Sequence, residues 1–182
     1  MSTRLILLGT GGGPTPKRHR AATAQAVTVE DATYVVDCGN GVARQLAMAG
    51  VGLDTLRCVT ITHHHSDHNA DLGTLLHLAW CANLDGVVDV YGPPPLSRMM
   101  EDFFSYARED IETRIRDEGR PPLRPMVRDH EITAPGPVYE DDRVRITCAA
   151  VHHPPMRAYA YRIDSDDRSI VISGDTTPCQ SL

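Results

Sequence analysis

The stretch Thr62-His63-His64-His65-Ser66-Asp67-His68 decides which kind of protein this sequence encodes. It follows residues 57–62, a β-branched segment that predicts a buried strand. Alternate side chains of extended backbone face the same way, so His63 and His65 can converge on one point. Asp67 and His68 can then face a second point nearby. Imidazole and carboxylate groups at this spacing favour zinc or another divalent transition ion.

Short apolar segments separated by turns precede this stretch. Residues 4–8 predict a strand, residues 25–30 and 33–37 predict a β-hairpin, and residues 41–49 predict a helix that ends at Gly50. The glycine run at residues 9–13 lacks the Gly-Lys-Ser/Thr ending of a phosphate-binding loop and the spacing of a dinucleotide-binding loop. It therefore predicts a tight turn that lets backbone approach the metal site.

Helices and strands alternate after the histidine stretch. Asp71 is a candidate N-cap for a helix in which Leu72, Leu75, Leu76 and Ala79 keep helical spacing. Further on, the pattern predicts a strand over residues 87–91, one long helix over residues 96–117, and strands over residues 143–149, 157–163 and 168–173. We expect one mixed α/β domain over residues 1–182.

Composition narrows the class of protein and its partners. The net charge of −6 and the single lysine, Lys17, argue against a protein that binds nucleic acid unaided. The five cysteines are odd in number and contain no Cys-x-x-Cys pair, which indicates reduced thiols in the cytoplasm. The apolar segment after Arg4 is too short for a signal peptide, and no stretch reaches the length of a membrane span. We therefore expect a cytoplasmic protein without a membrane partner.

Three separate motifs resemble the metallo-β-lactamase superfamily, whose signature is His-x-His-x-Asp-His after a buried strand. Beside the first stretch, these are Val151-His152-His153-Pro154 and Ser173-Gly174-Asp175-Thr176, each after a predicted strand. Three further segments resemble the ribonuclease Z and arylsulfatase-like branch: residues 8–14, Tyr34-Val35-Val36-Asp37-Cys38-Gly39, and His153 with Tyr159-Ala160-Tyr161-Arg162. The resemblance covers essentially the whole chain.

The resemblance implies a fold and a set of metal ligands. The fold is an α/β sandwich of the αββα type, with two mixed sheets between helices, and its second half is expected to be incomplete in this sequence. Up to two zinc ions are implied, the first held by His63, His65 and either His152 or His153. His153 is favoured because it lies just before the short link to the Tyr-x-Tyr strand. Asp67 and His68 belong to the second ion, Asp175 bridges the two, and Asp67 is also the expected catalytic residue.

The resemblance further implies hydrolysis of a phosphodiester by a metal-bound hydroxide, as in a ribonuclease Z that cuts tRNA precursors at the 3′ end. A rival is an arylsulfatase or small-ester hydrolase with the same chemistry. The acidic charge favours that rival, as does a region 92–130 without a Gly- and Lys-rich arm to bind tRNA. A third possibility is a metal-binding fragment without activity.

At its C-terminal end the sequence differs from the ribonuclease Z and arylsulfatase-like branch that it resembles. Members of that group continue past the Gly-Asp-Thr motif with a helix, strands and a last histidine, whereas here no histidine follows His153 and the sequence ends at Leu182. We expect a fragment, a premature stop, or a protomer completed by another chain, as in a homodimer. The second metal position is then incomplete, and the first should hold its ion more tightly.

Other polar residues carry weaker signals. The cluster Lys17, Arg18, His19 and Arg20 fits either contact with an anionic substrate or a solvated loop. Asp37 ends a strand, where it fits a structural turn or a partner that holds a ligand histidine. His64 alternates away from its neighbours and is expected to be an outer or core residue, and His77 lies among leucines as a structural residue. His19 and His130 have no motif around them.

Overall fold

The structure, a computed structural model, describes residues 2–181. Its ten strands are β1 (Thr3–Gly9), β2 (Ala24–Val29), β3 (Ala32–Val36), β4 (Leu56–Thr60), β5 (Val88–Gly92), β6 (Val127–Glu131), β7 (Gly136–Glu140), β8 (Val144–His153), β9 (Met156–Ser165) and β10 (Ser169–Ile172). Its five α-helices are α1 (Val42–Met48), α2 (Ser66–Asn69), α3 (Leu72–Cys81), α4 (Leu96–Tyr106) and α5 (Arg108–Glu118).

The strands form two sheets. The first has six strands in the order β1-β2-β3-β4-β5-β6, and the second has four in the order β10-β9-β8-β7. In the first sheet β1, β2 and β3 pair antiparallel, whereas β3, β4, β5 and β6 pair parallel. The second sheet is antiparallel. The carboxyl ends of β3, β4 and β5 therefore meet at one edge of the first sheet, where binding sites of α/β folds commonly lie.

Two hydrophobic cores hold these layers together. Because successive strand residues face opposite sides of a sheet, Val35 and Val59 pack toward the helices while Tyr34 and Cys58 pack between the sheets. Among residues 2–181, helix residues contribute to the first core and none belongs to the second. The layers are thus helices, first sheet and second sheet, in agreement with the predicted α/β class with facing sheets.

The predicted long helix over residues 96–117 is wrong as a single helix. The structure breaks it at Ala107, whose ψ of 1° departs from helical geometry and separates α4 from α5. The bend lets Met100 and Ile111 both reach the first core. The strands β6 and β7 were not predicted. The helix end at Gly50 is confirmed, since this residue has φ 71° and its N–H donates to the Ala47 carbonyl.

None of the helices within residues 2–181 has both the length and the apolar character that crossing a membrane requires.

Candidate metal centre

The candidate site is assembled from both sheets. Asp37 follows β3 and the histidine stretch follows β4, so the parallel pairing of these strands places the two segments side by side. From the second sheet come His153, the last residue of β8, and Asp175, which follows β10. The backbone of His152 pairs with Thr177, which holds the segment around Asp175 beside the end of β8. Residues far apart in sequence are thereby brought together.

Three histidines form the first compact group. His65 Nδ1 lies 2.9 Å from His63 Nε2 and 3.1 Å from His153 Nε2. His65 is in extended backbone conformation, and His63 is fully buried. His152 is exposed, so His153, which the resemblance favours, is the histidine that lies beside His65. Three ring nitrogens thus converge on one point, as the alternation of His63 and His65 predicts.

The donor set of this group suits a metal ion. Nitrogens that each lie about 2.1 Å from a tetrahedral zinc are about 3.4 Å apart, close to the separations seen here. Burial, together with the neighbouring His68, His153 and His65, lowers the pKa of His63 to about 3. The His63 ring is therefore neutral at physiological pH, which is the state that binds metal.

A second group lies against the first and shares His63. It contains His63, His68 and Asp175, whose donor atoms lie within 4.8 Å of one another. His68 Nε2 is buried, 3.5 Å from Asp175 Oδ1 and 3.7 Å from Asp67 Oδ2, yet it has no hydrogen-bond partner within residues 2–181. A buried nitrogen without a partner is costly, and a metal ion would satisfy it. Asp67 belongs to neither compact group among the described residues.

Asp37 is connected to histidines of both groups by hydrogen bonds. Its buried carboxylate accepts hydrogen bonds from the Thr62 backbone N–H at 2.8 Å, the Thr62 hydroxyl at 2.9 Å and His68 Nδ1 at 2.7 Å. Thr62 Oγ1 also lies 3.0 Å from His63 Nδ1 and can accept its proton. One carboxylate therefore orients His68 directly and His63 through Thr62. Of the two alternatives for Asp37, the structure supports the one in which its carboxylate holds a histidine of these groups.

The carboxylate of Asp37 also directs one ring proton of His68. Burial lowers the pKa of the His68 imidazole, but the hydrogen bond to Asp37 and the negative charges of Asp37, Asp175 and Asp67 outweigh burial and raise it above the usual value. The proton on Nδ1 stays directed at Asp37, which leaves Nε2 as the atom that faces Asp175 and Asp67.

Glycines bring the surrounding backbone into close contact. A Cβ atom on Gly39 would lie 2.2 Å from the Asp67 carbonyl oxygen, and one on Gly9 would lie 1.7 Å from that of Ala22. The Gly9 contact shows that the glycine run closes the loop of residues 10–21 on itself. The predicted tight turn is present, but its glycines approach the backbone of Ala21 and Ala22, whereas Gly39 approaches the metal centre.

Gly39→Ala should lower both stability and metal binding. The added methyl group has no room against the Asp67 backbone, and overpacking of this kind costs about 1–3 kcal/mol. Gly12→Ala is the matched control, because a Cβ there meets nothing within 4 Å. Thermal unfolding of both variants, with and without added zinc, measures the effect. An unchanged unfolding temperature for Gly39→Ala would contradict this close packing.

A basic pocket opens beside Asp67. It has a volume of about 580 Å³, with Ser66 and Asp67 at one end, helix α1 on one side and the loop of residues 11–22 on the other. Lys17, Arg18, Arg20 and Arg44 line it. None of these four side chains has a carboxylate partner within residues 2–181, whereas Arg98, Arg128 and Arg143 each have at least one. The loop cations thus line the same pocket as Asp67, and Arg44 of α1 joins them although no sequence motif pointed to it.

The remaining histidines lie outside the two groups. His64 bonds to Pro93 and Asn69 and so serves neither compact group. His77 packs against Trp80 and Phe103 and lies 2.9 Å from Asp110, which fits the predicted structural role. His130 stacks on Tyr91 and bonds to Asp89, an interaction that the sequence pattern did not reveal.

The fold, the histidine groups and the supporting Asp37 define a metallo-β-lactamase type of site. Residues 32–181 match the model of the family described as "Beta-lactamase superfamily domain", and the chain belongs to this family. It is 37% identical to ribonuclease Z of Mycobacterium bovis in an alignment of 182 residues that covers 98% of this chain and 64% of that protein. The chain thus spans a little under two thirds of the curated relative.

Solved structures share the fold. The short form of human tRNase Z superposes with a TM-score of 0.75 at 20% identity, covering 100% of this chain and 71% of that one. Zn²⁺-bound PqqB from Methylobacterium extorquens superposes with a TM-score of 0.59 at 12% identity, covering 93% of this chain and 64% of that one. Family and histidine groups together indicate a metal-binding site.

Proposed function

We propose that the protein is a zinc-dependent hydrolase that cleaves a phosphodiester, with a tRNA precursor 3′ end as its substrate, within one domain over residues 1–182. The observation that carries the proposal is that two histidine-containing groups adjoin a basic pocket whose cations have no carboxylate partner within residues 2–181. The similarity to ribonuclease Z supports the substrate. The Zn²⁺ in PqqB, whose fold is shared, supports the choice of ion.

The proposed ligands follow from the two groups. His63, His65 and His153 would hold the first ion, Asp67 and His68 would hold the second, and Asp175 would lie between them. Such ions lower the pKa of water and polarise the phosphoryl oxygens of the substrate. Asp67, which lines the pocket, would orient the attacking water and accept its proton at a carboxylate oxygen. The pocket cations would bind the non-bridging phosphate oxygens.

A sulfate or small-ester hydrolase is the second candidate. A net charge of −6 with one lysine gives little attraction for a large polyanion outside the pocket, and the pocket itself fits any small anionic ester. An inactive metal-binding protein is the third candidate, since the second compact group offers three donors. A homodimer also stays a prediction, which sedimentation analysis tests.

One parallel assay separates these candidates. A labelled tRNA precursor, bis(p-nitrophenyl) phosphate and p-nitrophenyl sulfate are incubated with the zinc-loaded chain, the chelated chain and the chelated chain after zinc is restored. We expect cleavage of the precursor and the diester, loss on chelation and recovery with zinc. Turnover of the sulfate alone would favour the second candidate. Bound zinc without any turnover would favour the third.

Arg44→Ala should weaken substrate binding more than turnover. Removing an unpaired cation that lines the pocket should raise KM for the diester up to about tenfold, equivalent to about 1.4 kcal/mol, with kcat little changed. Arg98→Ala is the matched control, because Arg98 is equally cationic but is paired with Asp102 on α4. Steady-state kinetics at two salt concentrations measure the effect. Equal KM values for the two variants would show that Arg44 does not contribute to substrate binding.

A further inference from the structure

His64 lies between two residues of the first compact group but makes different contacts. Its Nε2 atom is 2.6 Å from the Pro93 carbonyl oxygen, and its Nδ1 atom is 3.0 Å from Asn69 Nδ2. Pro93 follows β5, and Asn69 is the last residue of α2. The side chain therefore connects the histidine stretch with the loop after the neighbouring parallel strand and with the helix that carries Asp67 and His68. We call these three residues the His64 bridge.

The two contacts fix one state of the ring. A carbonyl oxygen can only accept, so His64 Nε2 must carry the proton that it donates to Pro93. The Asn69 amide then donates to Nδ1, which has the free lone pair. Both ring nitrogens are engaged in hydrogen bonds, so His64 has no atom left to bind a metal ion. This explains physically why it is not a third ligand from the His-His-His run.

The His64 bridge also influences the direction in which the side chains of His63 and His65 point. Backbone at His65 is extended, with φ −69° and ψ 146°, so side chains of consecutive residues point to opposite sides. Anchoring His64 on the side of Pro93 therefore turns His63 and His65 toward His153. Beside this anchor the ends of β4 and β5 are in close contact, because a Cβ on Gly92 would lie only 3.2 Å from Ile61 Cβ.

We propose that His64 is a positioning residue of the metal centre: through Pro93 and Asn69 it holds His63 and His65 in the orientation that binds the first ion. The proposal rests on the proposed function only in assuming that the centre binds a metal. It concerns metal affinity and site geometry, which are measured without any substrate. A residue that only filled space would need neither of its two hydrogen bonds.

Four variants test the bridge. His64→Leu removes both contacts with little loss of volume, and His64→Gln keeps a donor for the Pro93 carbonyl. Asn69→Ala removes the second contact without altering the histidine stretch. His77→Leu is the control, because His77 is a half-buried histidine on α3 that contacts Trp80 and Phe103. Chelator competition gives the zinc affinity, the visible spectrum of the Co²⁺-loaded protein reports the site geometry, and unfolding of the metal-free protein gives the stability.

The expected results differ between a positioning and a merely structural role. His64→Leu should bind zinc about 10–100-fold more weakly and change the Co²⁺ spectrum, as loss of groups that orient ligands commonly does. His64→Gln should recover much of the affinity, Asn69→Ala should lose a smaller part, and His77→Leu should lose stability alone. Wild-type affinity and spectrum in His64→Leu would overturn the inference. If His64→Leu does not fold, unchanged zinc affinity in Asn69→Ala would overturn it.

Failure of the proposed function has a separate signature. A wild-type protein that binds neither zinc nor Co²⁺ would refute the metal centre itself, whatever the variants do. A wild-type protein that binds both, with His64→Leu indistinguishable from it, refutes only the role of His64.

Discussion

Asp37→Asn should leave the protein folded but weaken its metal binding about 10–100-fold. An asparagine has nearly the same shape, and its Oδ1 can still accept the Thr62 N–H. Its amide nitrogen would face His68 Nδ1, which would then have to accept instead of donating. The His68 proton would move to Nε2, the atom that faces Asp175 and Asp67. Hydrolysis should fall along with the metal content.

Asp37→Ala should also lower stability. It leaves the Thr62 N–H, the Thr62 hydroxyl and His68 Nδ1 without their buried acceptor, at a cost of about 3 kcal/mol or more in all. For a chain of this size the unfolding temperature should fall by about 6–12 °C.

A matched control separates loss of metal from loss of a buried carboxylate. Asp89 is also buried, and its Oδ1 lies 2.8 Å from His130 Nε2, but it belongs to neither histidine group. Asp89→Asn should keep its zinc. The measurements are unfolding temperatures with and without chelator and zinc content after dialysis. If Asp37→Asn retains zinc as tightly as Asp89→Asn does, Asp37 does not set the protonation of His68.

Asp67→Ala should lose most hydrolysis, about a hundredfold or more in kcat for bis(p-nitrophenyl) phosphate. The Asp67 carboxylate lines the basic pocket, 3.7 Å from His68 Nε2, where it can act on both the second ion and the attacking water. Asp67→Asn should be nearly as inactive, because the negative charge is needed as well as the shape. The first group contains no Asp67 atom, so both variants should retain one equivalent of zinc.

Ser66→Ala is the control for Asp67, since Ser66 lines the same pocket and is exposed. It should keep near wild-type turnover. The kinetics are interpreted only after metal analysis of each variant. Near wild-type turnover of a metal-loaded Asp67→Ala protein would refute the role of this carboxylate in catalysis.

The local part of the site could be predicted from the sequence. His63 and His65 converge because extended backbone alternates, and this depends on neighbouring residues alone. The support by Asp37 could be anticipated only as one of two alternatives, because it depends on β3 and β4 ending side by side. The roles of Asn69 and Pro93 around His64 gave no sequence signal, since they arise where α2 and the end of β5 meet.

The sequence pattern does not reveal β6, β7 or the helix break at Ala107, because each depends on tertiary structure and not on local apolar spacing. β6 and β7 are edge strands of their sheets, and β6 carries Arg128, Asp129 and His130, so neither has the apolar alternation by which a buried strand is recognised. The break at Ala107 is hidden in a sequence whose apolar spacing continues across it from Phe103 to Ile111. Alanine favours helix everywhere, and packing against the first core decides where the helix axis bends.

The position of the first histidine group between the sheets has a consequence for folding. His65 follows β4 of the first sheet, His153 ends β8 of the second, and they are 88 residues apart in sequence. An ion held by both is a cross-link that closes this long loop and ties the sheets together, much as a disulfide would. By mass action, each tenfold rise in free metal above the dissociation constant then adds about 1.4 kcal/mol to the folded state. Metal supply would thereby govern how long the protein persists, and so its abundance, as well as its chemistry.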